Sequence, residues 1–371
     1  MLKEKNMQKK KVGITIYPEQ APLNETLDYL ERAKKLGYEL VFVSFVHLKK
    51  EQQKELEMTV EATKYASKLG YYVIADVAPS SFELLNVPKN NYEKIKAMGI
   101  SCLRFDLPLT AMELAFLSHN EYGVDIQINM SSNDHLIDTI LDYQPARTRI
   151  SGCHNFYPQK NTALPLAFFH DCNQKFVKHN IETAAFIGSH FGNQGVASVN
   201  KELPTLEATR NLPCSTQAKL IFYSNEINNV MFGNAFASQE ELEEVVKINR
   251  DTIALKVILE NDITQEEKTI LNFPQHFSRG DIAEFFIRSV YSRIVFKDFK
   301  VTPKNKQSIF NRGDVVIMNE NGNSYKGEAH IILKDNFEIE NNQYNLVGKI
   351  DPNEIILLDY VRPWAVFKFE F

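Results

Sequence analysis

The sequence of 371 residues is poor in cysteine and tryptophan, with four and one respectively, and no apolar run approaches the length of a membrane span. Cys102, Cys153, Cys172 and Cys214 form no C-x-x-C pair and no zinc spacing. Two of them, Cys102 and Cys153, fall in expected strands, so buried free thiols in a reducing compartment are expected rather than disulfides. No H-x-H, H-E-x-x-H or P-loop signature occurs, and there is no low-complexity tract or short-period repeat. Positive charge is not in excess: the net charge of −5 argues against nucleic-acid partners and an anionic membrane surface. A small anion remains admissible, because a few local arginines or lysines suffice to hold one. The charged leader Met1–Lys11 has no apolar segment after it, which implies no secretory signal and a cytoplasmic location. A homodimer is compatible with this composition; the sequence carries no signal for or against it.

What is present is a repeated grammar. Eight times in the first 226 residues an apolar run of strand length ends in polar residues, and a helix-like segment follows. The expected strands are Val12–Ile16, Leu40–Ser44, Tyr71–Ala75, Ser101–Phe105, Val124–Asn129, Arg149–Gly152, Thr183–Ile187 and Ala218–Tyr223. Leu23, Leu27, Leu30 and Ala33 recur at helical spacing before a stop at Gly37, and Ser238-x-x-Glu241 is a capping box for the last helix. Eight such units predict an α/β fold, a (β/α)8 TIM-type barrel over residues 1–250, with its chemistry at the carboxyl ends of the strands. In Val124–Asn129, Ile126 and Ile128 share one face while Asp125, Gln127 and Asn129 share the other, which predicts polar side chains inside the barrel. After about residue 250 short alternating runs (Val315–Met318, His330–Leu333, Ala365–Phe369) are separated by Gly- and Asn-rich turns. Residues 251–371 are therefore expected to form a small, mostly β domain.

Four carboxylates fall at expected strand ends: Glu19, Asp76, Asp106 and Glu226. Paired carboxylates at a barrel mouth suit glycoside hydrolysis, one held protonated as acid and the other ionised as base, nucleophile or positioner. The blander alternative is that they hold arginines or cap helices. Arg104 and Asp106, two apart on one strand, project to the same side, either as an anion hook beside a carboxylate or as an internal ion pair. His154, Asn155 and Tyr157 form a polar-aromatic loop suited to a sugar ring, and Tyr17, Ser44, His47 and Asn129 sit on the same rim. Ser189 and His190 open a glycine-containing loop, Gly188–Gly195, that offers backbone N–H groups to a phosphate. A metal site from Glu19, Asp76, Asp106, His154 and Glu226 is a rival use of the same groups, unsupported by any signature. No Schiff-base lysine is expected, since Lys219 lies near the start of its strand. No cofactor and no metal are expected.

Gly13–Glu19, Leu103–Asp106, His154–Pro158 and Phe222–Glu226, in that order, resemble the 6-phospho-N-acetylmuramidase family over nearly the whole chain. The resemblance implies a β/α barrel followed by a cyclophilin-like C-terminal β domain. It also implies a cytoplasmic hydrolase of cell-wall recycling that cleaves the β-1,4 bond of N-acetylmuramate 6-phosphate–N-acetylglucosamine. A phosphorylated amino-sugar disaccharide carries two anionic groups, for which Arg104, the Gly188–Gly195 loop and Arg312 or Arg362 of the second domain are candidates. Asp76 and Asp106 are the favoured catalytic pair, with Glu19 and Glu226 in support. The alternatives are a metal-dependent sugar-phosphate isomerase or epimerase, and a non-catalytic sugar-phosphate-binding protein.

Overall fold

Eight parallel strands close on themselves in sequence order: β1 (Lys11–Ile16), β2 (Leu40–Ser44), β3 (Tyr72–Val77), β4 (Cys102–Phe105), β5 (Asp125–Asn129), β6 (Ile150–Cys153), β7 (Glu182–Ile187) and β8 (Asn229–Phe232). The computed structural model describes residues 9–88, 90–106, 109–196, 202–304, 307–339 and 342–371; the leader through Gln8 lies outside them. Among the described residues nine α-helices accompany the barrel: α1 (Leu23–Leu36), α2 (Gln53–Lys68), α3 (Pro79–Leu84), α4 (Tyr92–Ala97), α5 (Ala111–Leu117), α6 (Leu136–Asp142), α7 (Leu166–Val177), α8 (Cys214–Tyr223) and α9 (Gln239–Lys247). The chain divides into two compact units, Met1–Lys247 and Ile248–Phe371.

The strands are buried almost without interruption, as expected where helices cover the outside and side chains fill the inside. The inward set includes Leu40, Phe42, Ile74, Cys102, Cys153, Ala184, Phe186 and Met231, which form one apolar cluster. Gly13 is required there: a Cβ on it would stand 2.7 Å from the Leu40 Cβ and 2.8 Å from Met231. Gly37 ends α1 in the left-handed region, φ 101°, where a side chain would be strained. All four cysteines are buried free thiols. Ser238 and Glu241 cap α9 reciprocally, N–H to Oε2 at 3.0 Å and N–H to Oγ at 3.1 Å.

The eighth strand departs from expectation. Ala218–Tyr223 belongs to helix α8, and β8 is the shorter run Asn229–Phe232. Every residue from Ala218 to Tyr223 is buried, so the segment shows no polar stripe by which helix and strand periods could be told apart. Lys219 is therefore helical.

The second unit is mostly β. Strands β9 (Ile253–Leu259), β10 (His276–Phe277), β11 (Phe286–Ser289), β13 (Asp314–Met318), β14 (Ala329–Ile332), β16 (Tyr344–Ile350) and β17 (Val366–Glu370) form a seven-stranded sheet in the order β10-β17-β9-β16-β13-β14-β11. Its pairings are antiparallel except β9 with β17. A small ribbon pairs β12 (Ile309–Phe310) with β15 (Phe337–Glu338). Phe310, Val316 and Ile332 make a buried cluster in this unit.

Candidate active site

Strict alternation along β3 and β4 turns Asp76, Arg104 and Asp106 into the barrel, and the parallel register sets Asp76 beside Arg104. Arg104 Nη1 donates to Asp76 Oδ1 at 2.5 Å and to Asp106 Oδ1 at 3.2 Å, while Nη2 donates to Asn155 Oδ1. Its guanidinium lies 5.9 Å from the centroid of the Phe42 ring. Burial works against the charge of Arg104, but Asp76 and Asp106 outweigh it and hold the guanidinium protonated. Arg104 is thus engaged as the clamp of two carboxylates and an amide rather than as a free anion hook. Asp76 is buried and takes a second bond from Ser44 Oγ at 3.2 Å. Desolvation raises its carboxyl above the ordinary range, only partly offset by Arg104. The Asp106 side chain is 39% exposed, so it is the member of the cluster open to a ligand.

Glu19 follows β1 in a short 3-10 turn, Pro18–Gln20. Its Oε1 accepts from Gln20 Nε2 at 3.1 Å, whereas its Oε2 is buried with no partner. Burial raises this carboxyl above its ordinary range, opposed in part by hydrogen bonds from its own backbone N–H and from Gln20 and, least, by the nearby His47. Tyr17 stands between the two carboxyl systems: burial, Glu19 and Asp76 all raise its phenol, whose hydroxyl donates to the Gly233 carbonyl at 2.8 Å. The mouth therefore gathers Tyr17, Glu19, Ser44, His47, Asp76, Arg104, Asp106 and Asn155. Asn129 ends β5 half-buried, its Oδ1 accepting from the Ser131 N–H at 2.8 Å.

Several expected site residues point elsewhere. Glu226 lies between α8 and β8, at the amino-terminal end of the barrel, because the strand expected before it is a helix. There it accepts from His170 Nδ1 at 2.6 Å and Asn173 Nδ2 at 2.9 Å. His154 is fully buried and turned outward, since Ser151 and Cys153 take the inward positions of β6. Ser189 is likewise outward and buried, giving its hydroxyl to Glu241 Oε2 at 2.5 Å. His190 is exposed, with its ring on the Leu212 carbonyl at 2.9 Å. The Gly188–Gly195 loop offers little to a phosphate: the N–H groups of residues 188, 189, 190, 191, 192 and 195 are taken by Gln217, Asn234, Glu241, Ser189 (twice) and Gln20. Arg312 sits in the second unit, where it donates to Asp359 at 2.6 Å and to the Leu333 carbonyl at 3.3 Å. Among the described residues no three His, Cys, Asp or Glu side chains converge as metal ligands, and with His154 and Glu226 removed the oxygen-and-imidazole set is broken. No helix among them is long and apolar enough to cross a membrane.

This carboxylate-rich mouth and the β unit that follows it match one family twice. Residues 12–247 match the N-terminal domain of 6-phospho-N-acetylmuramidase, and residues 253–370 match its C-terminal domain. The chain belongs to the 6-phospho-N-acetylmuramidase family. Members are glycoside hydrolases, and so is this protein. A solved structure of an uncharacterized B. cereus protein is 35% identical over 98% of this chain and 100% of its own, with a TM-score of 0.89. A conserved Enterococcus faecalis protein of unknown function shares the fold, with a TM-score of 0.70 at 21% identity, over 97% of this chain and 96% of its own. No curated protein matches the chain.

Within this family barrel, a relay that composition alone does not reveal fixes the mouth residue Asn155. Its N–H donates to Ser131 Oγ at 2.9 Å, and Ser131 Oγ contacts His154 Nδ1 at 3.0 Å. His154 Nε2 meets Asn173 Oδ1 at 2.7 Å, and Asn173 Nδ2 ends the chain on Glu226. The acceptor at Asn173 assigns the ring proton to Nε2, leaving Nδ1 to accept from Ser131. Thr205 Oγ1 and Arg210 pin the same loop through the carbonyls of Asn155 and Tyr157, at 2.9 and 3.1 Å. Tyr157 is half-buried, and desolvation raises its phenol.

Burial lowers His154 from 6.5 to about 4, so the folded barrel prefers the neutral ring. The stability that follows is present above pH 6.5 and is lost as pH falls toward about 4. We expect this one residue to contribute a loss on the order of 3 kcal/mol across that window. Urea unfolding followed between pH 7 and pH 4 checks it. A His154→Gln variant with the same pH slope as wild type would refute the assignment.

Proposed function

We propose that the barrel mouth hydrolyses the β-1,4 bond of N-acetylmuramate 6-phosphate–N-acetylglucosamine, releasing N-acetylglucosamine and the phosphorylated sugar. The observation that carries this reading is the contrast between carboxyl groups on one rim of a family barrel. Glu19 is desolvated with an uncommitted oxygen, and Asp106 is open to the mouth and tethered by Arg104. Glycoside hydrolysis needs that division: a carboxyl that keeps its proton for the leaving oxygen, and a second that supports the cation-like sugar. Glu19 is the general acid. Asp106 is its partner, either attacking the anomeric carbon or orienting the 2-acetamido carbonyl that does so. Asp76 is a positioning residue, because both of its oxygens are committed, to Arg104 and to Ser44.

The wider role follows from the substrate. A disaccharide of this kind is a fragment of cell-wall peptidoglycan, so the proposed setting is recycling of that polymer inside the cell. Four buried free thiols are compatible with a reducing cytoplasm. The β unit is proposed to be cyclophilin-like, as the sequence resemblance implies.

The test is a mass spectrum after incubation with the phosphorylated disaccharide in EDTA. Free N-acetylglucosamine is the expected product, and the unphosphorylated disaccharide stays intact. Equal turnover of both disaccharides removes the phosphate from the proposal. Activity that needs Mg²⁺ or Mn²⁺ and yields an isomer moves the protein to sugar-phosphate isomerases.

A further inference from the structure

Barrels of this type are usually packed through their interior, so a chamber at the end away from the chemistry needs an explanation. Leu40 and Ile74, which belong to the apolar cluster with Phe42, Cys102, Cys153, Ala184, Phe186 and Met231, also line an open space in the barrel. This cavity of about 620 Å³, at the amino-terminal end, is lined by Leu40, Ile74, Gln127, Arg149, Glu182 and Asn229, among others. That volume lies within the range of small-molecule sites, roughly 300–1,000 Å³.

Polar groups in this chamber are half-used in a consistent way. Gln127 is 3% exposed; its Nε2 donates to Ser151 Oγ at 3.3 Å, and its Oε1 is buried without a partner. Asn229 is 5% exposed; its Nδ2 donates to Glu182 Oε1 at 2.6 Å, and its Oδ1 is also buried and unpartnered. Nη1 of Arg149 is a third buried atom without a partner. A buried polar atom left unpaired costs about 1–3 kcal/mol, and the three residues that carry these atoms all line one cavity. Two of them are acceptors that call for hydroxyl or amine donors, and the third is a cationic donor that calls for an oxyanion. Lys11 and Arg147 add positive charge to the lining, against Asp125 and Glu182. Leu40, Ile74 and the Tyr72 ring supply an apolar wall of the kind a sugar face packs against.

We propose that this chamber is a second ligand site, for a small hydroxylated anion of the sugar-phosphate or sugar-acid class. The anion meets Arg149, with Arg147 nearby, and the hydroxyls meet Gln127 Oε1 and Asn229 Oδ1. The site is separate from the catalytic mouth and does not depend on which disaccharide the mouth cleaves.

Calorimetric titration of the whole protein with glucose 6-phosphate and with gluconate tests it. Saturable binding of at least one is expected, and which one binds tells a phosphate ligand from a carboxylate ligand. Arg149→Met and Gln127→Leu should each weaken binding by about tenfold or more, the effect of losing a desolvated or charge-assisted hydrogen bond. Asp106→Asn, at the other end of the barrel, should leave the affinity unchanged. Arg149 lies toward the surface, so its variant stays informative if Gln127→Leu fails to fold. The proposal is overturned if neither compound binds saturably at millimolar concentration, if Arg149→Met binds as wild type does, or if Asp106→Asn abolishes binding.

Discussion

Replacing Glu19 with Gln should lower kcat/KM for the phosphorylated disaccharide by about 10²–10⁴-fold, the usual contribution of a positioned general acid. The variant should also lose the alkaline limb of the pH–rate profile. In the wild-type enzyme the acid must hold its proton, and burial lifts the Glu19 carboxyl above its ordinary value of 4.5. Activity is therefore retained to a pH above 4.5 and falls as Glu19 ionises. Gln has nearly the same shape and cannot ionise, so the rate loss comes with a flat alkaline side. Asp106→Asn should cost a similar order of magnitude while leaving the alkaline limb in place, because it removes the partner and not the acid. A Glu19→Gln enzyme with wild-type rate and an unchanged alkaline limb transfers the acid role to Asp76, the other carboxyl of the mouth raised by burial.

Asp76→Ala should be the most destabilising single change at the mouth. It leaves the guanidinium of Arg104, 4% exposed, without its shortest counter-ion, and Asp106 and Asn155 compensate only in part. Breaking one side of a buried pair costs about 3–5 kcal/mol. In a unit of this size that lowers Tm by on the order of 10 °C. The exposed Arg279–Asp281 pair is the control, and its removal should leave Tm almost unmoved. Thermal unfolding of Asp76→Ala, Arg104→Met and the double variant decides the matter. The double variant should be less damaged than Asp76→Ala alone, since it no longer buries an unpaired charge. Strictly additive losses would mean that Arg104 and Asp76 are not coupled.

Most of the barrel was legible because buried parallel strands leave a compact apolar signature. Leu40–Ser44 was expected with the bounds that β2 has, and six other strands lie within two residues of theirs at either end. Ala218–Tyr223 misled because it is buried throughout and shows no period. Its punctuation was nonetheless present: Pro213 precedes α8, and Asn225, at φ 57°, follows it in the left-handed region where helices commonly stop. The candidate site was legible where alternation could be counted. That rule turned Arg104 and Asp106 inward together, and carried one residue past β6 and two past β7 it turns His154 and Ser189 outward. The partners that hold the mouth, Ser131, Asn173, Thr205 and Arg210, come from three separate stretches of chain. No local pattern announces them.

The amino-acid sequence by itself determined the barrel, the β unit after it, the inward carboxylates of strands three and four, and the absence of a disulfide framework. These follow from period, composition and punctuation, which are local properties of the chain. Only the tertiary structure decided which carboxyl groups share the mouth, that Glu226 belongs to the opposite end, and that the glycine loop has spent its N–H groups. It also decided that Glu19 keeps a desolvated oxygen free. Desolvation and hydrogen-bond saturation depend on what distant segments bring to one point, and that is settled when the barrel closes.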